Sequence, residues 1–136
     1  MRTVRVTGAG GFLGKVLCSL LERRGWRVAP ESETLVHLAQ GQGAEMRPVA
    51  VDLTRRLVAG AKTFILASSG SAKDPRDDYG KAKREAEGIV LGSGIPRPVV
   101  LRFHTLFGPG LPADRLAARL ASLERIEVAR PDGVRL

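Results

Sequence analysis

Thr3-Val4-Arg5-Val6-Thr7-Gly8-Ala9-Gly10-Gly11-Phe12-Leu13-Gly14 is the stretch on which the fold turns. Val4 and Val6 alternate, as in a short buried strand. Glycines follow, and then residues 12–24 carry Leu13, Val16, Leu17, Leu20 and Leu21 at the spacing of one helical face. Gly25 is a natural end for that helix. Residues 26–29 read as a second strand, stopped by Pro30. Strand, glycine turn, helix, strand is how a parallel α/β unit opens.

Further along, residues 62–68 (Lys-Thr-Phe-Ile-Leu-Ala-Ser) are almost continuously apolar, as a strand is when helices cover both faces of its sheet. Residues 70–78 form a polar loop. Residues 79–91 fit a helix with Ala82, Ala86, Ile89 and Val90 inward, ended by Gly92-Ser93-Gly94. Residues 98–103 are another buried strand. A turn at 107–110, a Leu/Ala helix at 115–123 and a short strand at 126–129 complete the pattern. No repeat, low-complexity segment or linker interrupts it. At 136 residues the chain fits one domain, 1–136, and 43% hydrophobic with 26% charged residues is an ordinary balance for a folded soluble protein.

Composition narrows the classes. No apolar run approaches the ~20 residues of a membrane helix. The N-terminus enters a strand directly, without a signal-peptide core, so a cytoplasmic, non-membrane protein is expected. The single cysteine, Cys18, allows no internal disulfide and suggests no metal cluster. Beside Leu17 and Leu21 it reads as a small core hydrophobe. The formal charge is +8. The cations are spread along the chain, and Arg23-Arg24 and Arg55-Arg56 are the only adjacent arginine pairs. That argues for biased usage rather than a nucleic-acid footprint.

Gly8, Gly11 and Gly14 have the spacing of a dinucleotide site. There the first glycine permits a tight turn, the second lets the backbone approach a pyrophosphate, and the third lets helix pack on strand. The first helical turn, Phe12, Leu13 and Gly14, would offer N–H groups and a positive dipole end to the phosphates. With 16 glycines in the chain the spacing alone says little. A ligand-free strand-to-helix turn is the alternative, and the flanking strand and helix favour the binding loop.

Tyr79, the only tyrosine, stands four residues before Lys83 and so shares a helical face with it. A phenol is a poor base near neutral pH, and a neighbouring ammonium stabilises its phenolate. A serine hydroxyl beside the same point would hold a substrate oxygen. Ser69 is the candidate and Ser71 the reserve. The alternative is a solvated helix face, Tyr-Gly-Lys-Ala-Lys-Arg-Glu.

These pieces, in this order, resemble the short-chain dehydrogenase/reductase superfamily, and within it the extended NAD-dependent epimerase/dehydratase branch. The resemblance is carried by residues 7–14, 64–71, Tyr79 with Lys83, and 101–110 (Leu-Arg-Phe-His-Thr-Leu-Phe-Gly-Pro-Gly). It implies a Rossmann-type, doubly wound parallel sheet of reduced size, holding NAD or NADP. It implies Ser69, Tyr79 and Lys83 as a catalytic triad, with Lys83 also on the nicotinamide ribose. His104 would approach the carboxamide through its backbone, and Thr105 would face the substrate. The cofactor contacts would be Gly8, Gly11, Phe12, Leu13, Gly14, Ala39, Lys83 and His104, with no metal.

The departures are as informative. Members of that family are well over twice as long, and about two βα units, at ~30 residues each, are absent before Tyr79. In one placement, residues 34–39 (Thr-Leu-Val-His-Leu-Ala) are the family's fourth strand and residues 50–61 the next helix. In the other, residues 34–40 are a helix and residues 46–53 the third strand, with Asp52 near adenine. The first is favoured, because His-Leu-Ala and Thr-Arg-Arg-Leu both sit where the family has them. It makes His37 a packed strand residue rather than a catalytic one. No clear acidic residue for the adenosine ribose follows the second strand. Glu31 and Glu33 are the candidates, and NAD versus NADP stays open. The family's Asn before the serine strand is not evident. Only 26 residues follow Gly110, so the substrate lobe is largely absent. Asp74, Asp77 and Asp78 read as helix-capping carboxylates. Two functions follow: an NAD(P)-dependent oxidoreductase or epimerase acting on a small molecule, with sugar nucleotides among the candidates, or a catalytically reduced dinucleotide-binding or interaction protein. Truncated sheet edges also predict a homo-oligomer, with residues 111–123 as a contact.

Overall fold

In the computed structural model, which describes residues 2–104, the chain runs β1 (Thr3–Thr7), α1 (Phe12–Arg23), β2 (Arg27–Val28), β3 (Thr34–His37), α2 (Thr54–Val58), β4 (Thr63–Ser69), α3 (Asp78–Leu91) and β5 (Arg97–Phe103). All five strands are parallel, in the order β2-β1-β3-β4-β5. A π-helical stretch, Pro48–Leu53, leads into α2. The expected turn at 107–110, helix at 115–123, strand at 126–129 and contact at 111–123 lie outside the described residues, as does Thr105. The described residues all belong to one compact unit. No helix among them is long and apolar enough to cross a membrane.

The core follows from strand alternation. Phe64 and Leu66 of β4 point to one face with Leu35 of β3, and α2 and α3 cover them with Val58, Ala86 and Val90. Phe64 is fully buried. The other face is less complete. Val36 and Ala67 are buried there, but Val99 and Leu101 of β5 are 36% and 45% exposed. The apolar stripe expected inward on α1 is correspondingly half covered: Val16 is 53% exposed and Leu20 38%. Cys18 is half-buried, and burial pushes its thiol up.

Residues 34–37 settle the two placements. They form a strand between β1 and β4, with Arg5 opposite Leu35 and His37 opposite Leu66, and Leu35, Val36 and His37 are buried. The helical placement of 34–40 and the strand at 46–53 are therefore wrong; a three-residue run buried on both faces belongs inside a sheet. The helix placed at 50–61 begins earlier, at Pro48, and ends at Val58. A Rossmann sheet ordered 3-2-1-4-5-6 becomes 2-1-4-5-6 when its third strand is removed, and that is the order seen here. The second strand survives as β2.

β2 is brief. It pairs only Arg27 with Thr3 and Val28 with Val4, while β1 continues to Thr7. Residues 29–33 then carry the chain past the start of β1. The Ser32 hydroxyl donates to the Thr3 carbonyl, accepts from the Thr3 hydroxyl, and accepts from the Thr34 N–H. The Glu33 carbonyl accepts from Lys62 and Thr63 at the start of β4. Glu31 and Glu33 thus sit in a connection at the end of the sheet opposite the glycine loop. Neither reaches the position of a ribose-binding carboxylate, because the chain leaves the sheet before the top of β1.

Candidate functional site

The glycine loop joins β1 to α1 at the C-terminal end of the sheet, where open α/β sheets bind ligands. Its three glycines do different work. Gly8 has φ +72°, and a Cβ there would stand 2.8 Å from the Ala39 backbone nitrogen. A Cβ on Gly14 would overlap the Gly8 carbonyl oxygen and the Ala9 backbone. Both positions are closed to any side chain by the fold itself. A Cβ on Gly11 would have the Gly8 carbonyl oxygen as its nearest neighbour, at 3.4 Å, so the space beside Gly11 is open. Gly11 caps α1 in an extended conformation, with no side-chain hydrogen bond and no acidic residue in the first turn. No described side chain therefore caps the first-turn N–H groups, and the helix dipole adds positive potential there. This is the chemistry of a phosphate seat.

Beneath it, the Thr7 hydroxyl ties β1 to β3. It accepts from the Leu38 N–H at 3.1 Å and the Ala39 N–H at 3.3 Å, and it meets His37 Nδ1 at 2.5 Å. Because the oxygen already accepts twice, its own proton goes to Nδ1. The His37 Nε2 proton then goes to the Val49 carbonyl, 3.4 Å away. His37 is a fixed, neutral, buried ring edge-on to Phe64. Burial, and secondarily the Lys83 charge, lower its pKa to about 4, against the Val49 hydrogen bond. It packs, as the sequence suggested, and it is joined to the Thr7 hydroxyl that takes the Ala39 N–H.

The second cluster stands where β4 and β5 end beside the start of α3. Ser69 is opposite Phe103, so His104 lies next to Gly70. The imidazole fills the space a Gly70 side chain would take, with Cε1 2.6 Å from such a Cβ. The Ser69 hydroxyl oxygen accepts from the Ser71 N–H at 3.2 Å. Asp77 caps α3 by accepting from the Gly80 N–H at 2.8 Å, and Gly80 packs on the Ser71 carbonyl. Tyr79 is half-buried in that first turn. One turn on, Lys83 is 5% exposed, which rules out a solvated face for it. Its ammonium donates to the Ala67 carbonyl at 3.2 Å and lies 5.7 Å from the Tyr79 ring centre. Burial pulls the Lys83 pKa down, and Glu87 opposes that. The fold thus gathers Ser69, Ser71, His104, Tyr79 and Lys83 at one end of the β4–α3–β5 unit. Ser69 and Tyr79 make no direct hydrogen bond. Asp74 only pairs with exposed Arg76, and Asp78 lies in the first turn of α3.

One group escaped the sequence reading. Glu87, 5% exposed on α3, accepts from the Ser68 hydroxyl at 2.6 Å and from Arg102 Nε at 3.0 Å and its terminal nitrogen at 2.7 Å. The Arg102 hydrogen bonds hold the Glu87 carboxyl below its usual range. The available signal was its spacing, four residues beyond Lys83.

Fold and loop together define a Rossmann-type parallel α/β architecture. Solved structures that share it include RMD from Pseudomonas aeruginosa complexed with NADPH, at TM-score 0.72 and 22% identity, covering 89% of this chain and 59% of that one. MoeE5 in complex with UDP-glucuronic acid and NAD aligns at TM-score 0.69 and 23% identity, over 88% and 60%. The dTDP-glucose 4,6-dehydratase from Bacillus anthracis in complex with NAD aligns at TM-score 0.71 and 14% identity, over 90% and 61%. The chain spans about three fifths of the length of these proteins. No protein-family model and no curated protein sequence matches it.

Proposed function

We propose that this chain binds NAD or NADP at the Gly8–Gly14 loop and serves an oxidoreductase or epimerase/dehydratase reaction at the β4–α3–β5 end. The observation that carries the binding half is the open space at Gly11 over an uncapped helix N-terminus, with Gly8 and Gly14 shut by the fold. A bound nicotinamide dinucleotide would supply or accept hydride. In this reading Phe12, Leu13 and Gly14 meet the pyrophosphate through backbone N–H groups, and Ala39, two residues past the end of β3, lies beside the cofactor. Lys83 holds the nicotinamide ribose, and the His104 backbone lies toward the carboxamide. Ser69 orients a substrate oxygen, and the Tyr79 hydroxyl gives or takes its proton. The substrate class is a small hydroxyl or carbonyl compound, with sugar nucleotides the first to try, since MoeE5 was solved with UDP-glucuronic acid.

A second reading has its own support. β2 stops at Val28, so among the described residues no carboxylate follows it at the end of the sheet that carries the glycine loop, and the Ser69 oxygen is engaged by Ser71 rather than Tyr79. That favours a dinucleotide-binding protein without turnover.

Two measurements separate these. Thermal shift with NADH and NADPH should rise for the wild type and vanish for Gly11→Val, whose fold the open space tolerates. Equal shifts in both would remove the binding site from this loop. Across a panel of alcohols, ketones and sugar nucleotides, Tyr79→Phe should abolish hydride transfer while leaving cofactor affinity within about threefold, because the hydroxyl acts mainly in the transition state. Cofactor binding without any transfer in the wild type would select the second reading.

A further inference from the structure

Lys83 and Glu87 are four residues apart on α3, the spacing at which oppositely charged side chains reach one another. Both are 5% exposed, where such a pair would be strong. Yet they form no salt bridge. The Glu87 carboxylate is occupied three times from the sheet, by Ser68 of β4 and twice by Arg102 of β5. The Lys83 ammonium turns instead to the Ala67 carbonyl, beside the Tyr79 ring. A lysine preceding a glutamate is also the weaker order for an intrahelical pair, which eases the separation.

We propose that Arg102 is a positioning residue whose work is to saturate Glu87, so that Lys83 stays unpaired and its charge remains available to Tyr79. The residue acts through two others and touches no reacting atom. Its placement is economical, since β5 runs beside β4 and Arg102 stands opposite Ser68 in register. Remove Arg102, and the buried cation left to Glu87 is Lys83. It would swing one turn down the helix, leaving Ala67 and Tyr79. Among the described residues, the charged or titratable groups around Lys83 and Glu87 are Tyr79 and Arg84 on the same helix, His37 on β3, and Arg102 on β5. Arg84 is already held by the Ala72 and Lys73 carbonyls. His37 is neutral above pH about 4 and does not compete for the carboxylate.

The proposal deepens the reading of Tyr79 and Lys83 given above, but its test needs neither substrate nor cofactor. The Lys83 ammonium reports the pairing directly: burial holds its pKa below the ordinary lysine value, Glu87 opposes that, and carbon NMR of its Cε follows the titration. In Arg102→Met the midpoint of the Lys83 titration should move upward from the wild-type value by about one pH unit, the size of effect a newly adjacent opposite charge exerts. In Arg102→Met/Glu87→Gln, where the competing carboxylate is gone, it should return to the wild-type value or below. Thermal unfolding of each variant identifies any that fails to fold, and Arg102→Lys, which keeps a cation on Glu87, then takes its place and should leave the midpoint within a few tenths of a unit. An unmoved midpoint in folded Arg102→Met, or an upward shift that the second substitution does not reverse, overturns the proposal. NADPH affinity measured on the same variants keeps the two questions apart. Binding by the wild type with no Arg102 effect on Lys83 leaves the function standing and removes this inference. No binding by any variant, with the Lys83 shift and its reversal present, does the opposite.

Discussion

At the scale of single residues, the glycine loop separates two properties that a spacing motif merges. Gly14→Ala puts a methyl onto the Gly8 carbonyl and should cost about 3 kcal/mol or prevent folding, as forced overpacking does. Gly10→Ala meets nothing within 4 Å and should leave urea midpoints unchanged. A Gly14→Ala protein as stable as wild type would show that the loop repacks freely. His37 gives a pH dependence with a defined sign. Its pKa is about 4 when folded, against 6.5 as the ordinary value. The unfolded chain therefore binds more protons between those values, and stability falls as pH drops through that window. The contribution is fully present above pH 6.5 and amounts to about 3 kcal/mol, lost by pH 4. His37→Gln should flatten the acid limb of a stability–pH curve measured by urea unfolding. An unchanged limb would assign acid lability to other groups.

At the scale of elements, α3 is fixed by the residue that caps it. Asp77 satisfies the Gly80 N–H directly beneath Tyr79, so Asp77→Ala should cost about 1 kcal/mol in chemical denaturation and loosen the turn that holds the phenol. Full stability of that variant would mean that packing alone sets the helix start. Much at this scale was legible beforehand. β1, α1, β4, α3 and β5 announce themselves through period, glycine stops and continuous apolar runs. Residues 34–37 did not, because four apolar or weakly polar residues carry no period, and only pairing with two strands makes them β3. The coverage of α1 was also unreadable. Its stripe is a property of the helix, while exposure of Val16 and Leu20 depends on what lies across from them. In the site, the Tyr79–Lys83 pair could be seen, but the Glu87 network could not, since two of its members come from strands 19 and 15 residues away.

At the scale of the molecule, the described unit presents Val16, Leu20, Leu91, Val99 and Leu101 to solvent, and β2 and β5 are both edge strands. Exposed apolar groups beside open edges favour self-association. Light scattering at micromolar concentration should therefore give a mass of at least two chains, and Val99→Lys/Leu101→Lys should shift it toward one. A wild-type monomer would mean these groups are tolerated singly.

Residues 29–33 work as a seam. They take the chain from one side of β1 to the other without disturbing any strand register, and they are held through Ser32 on Thr3 and Thr34. Chain added at Pro30 would lengthen the sheet outward, beyond β2, away from Phe64, Leu66 and the rest of the packed interior. Such a hem can be let out or taken in while the garment keeps its cut. The glycine loop answers to β1 and β3, which lie inside the seam, so growth or loss of the outer margin leaves that loop in place.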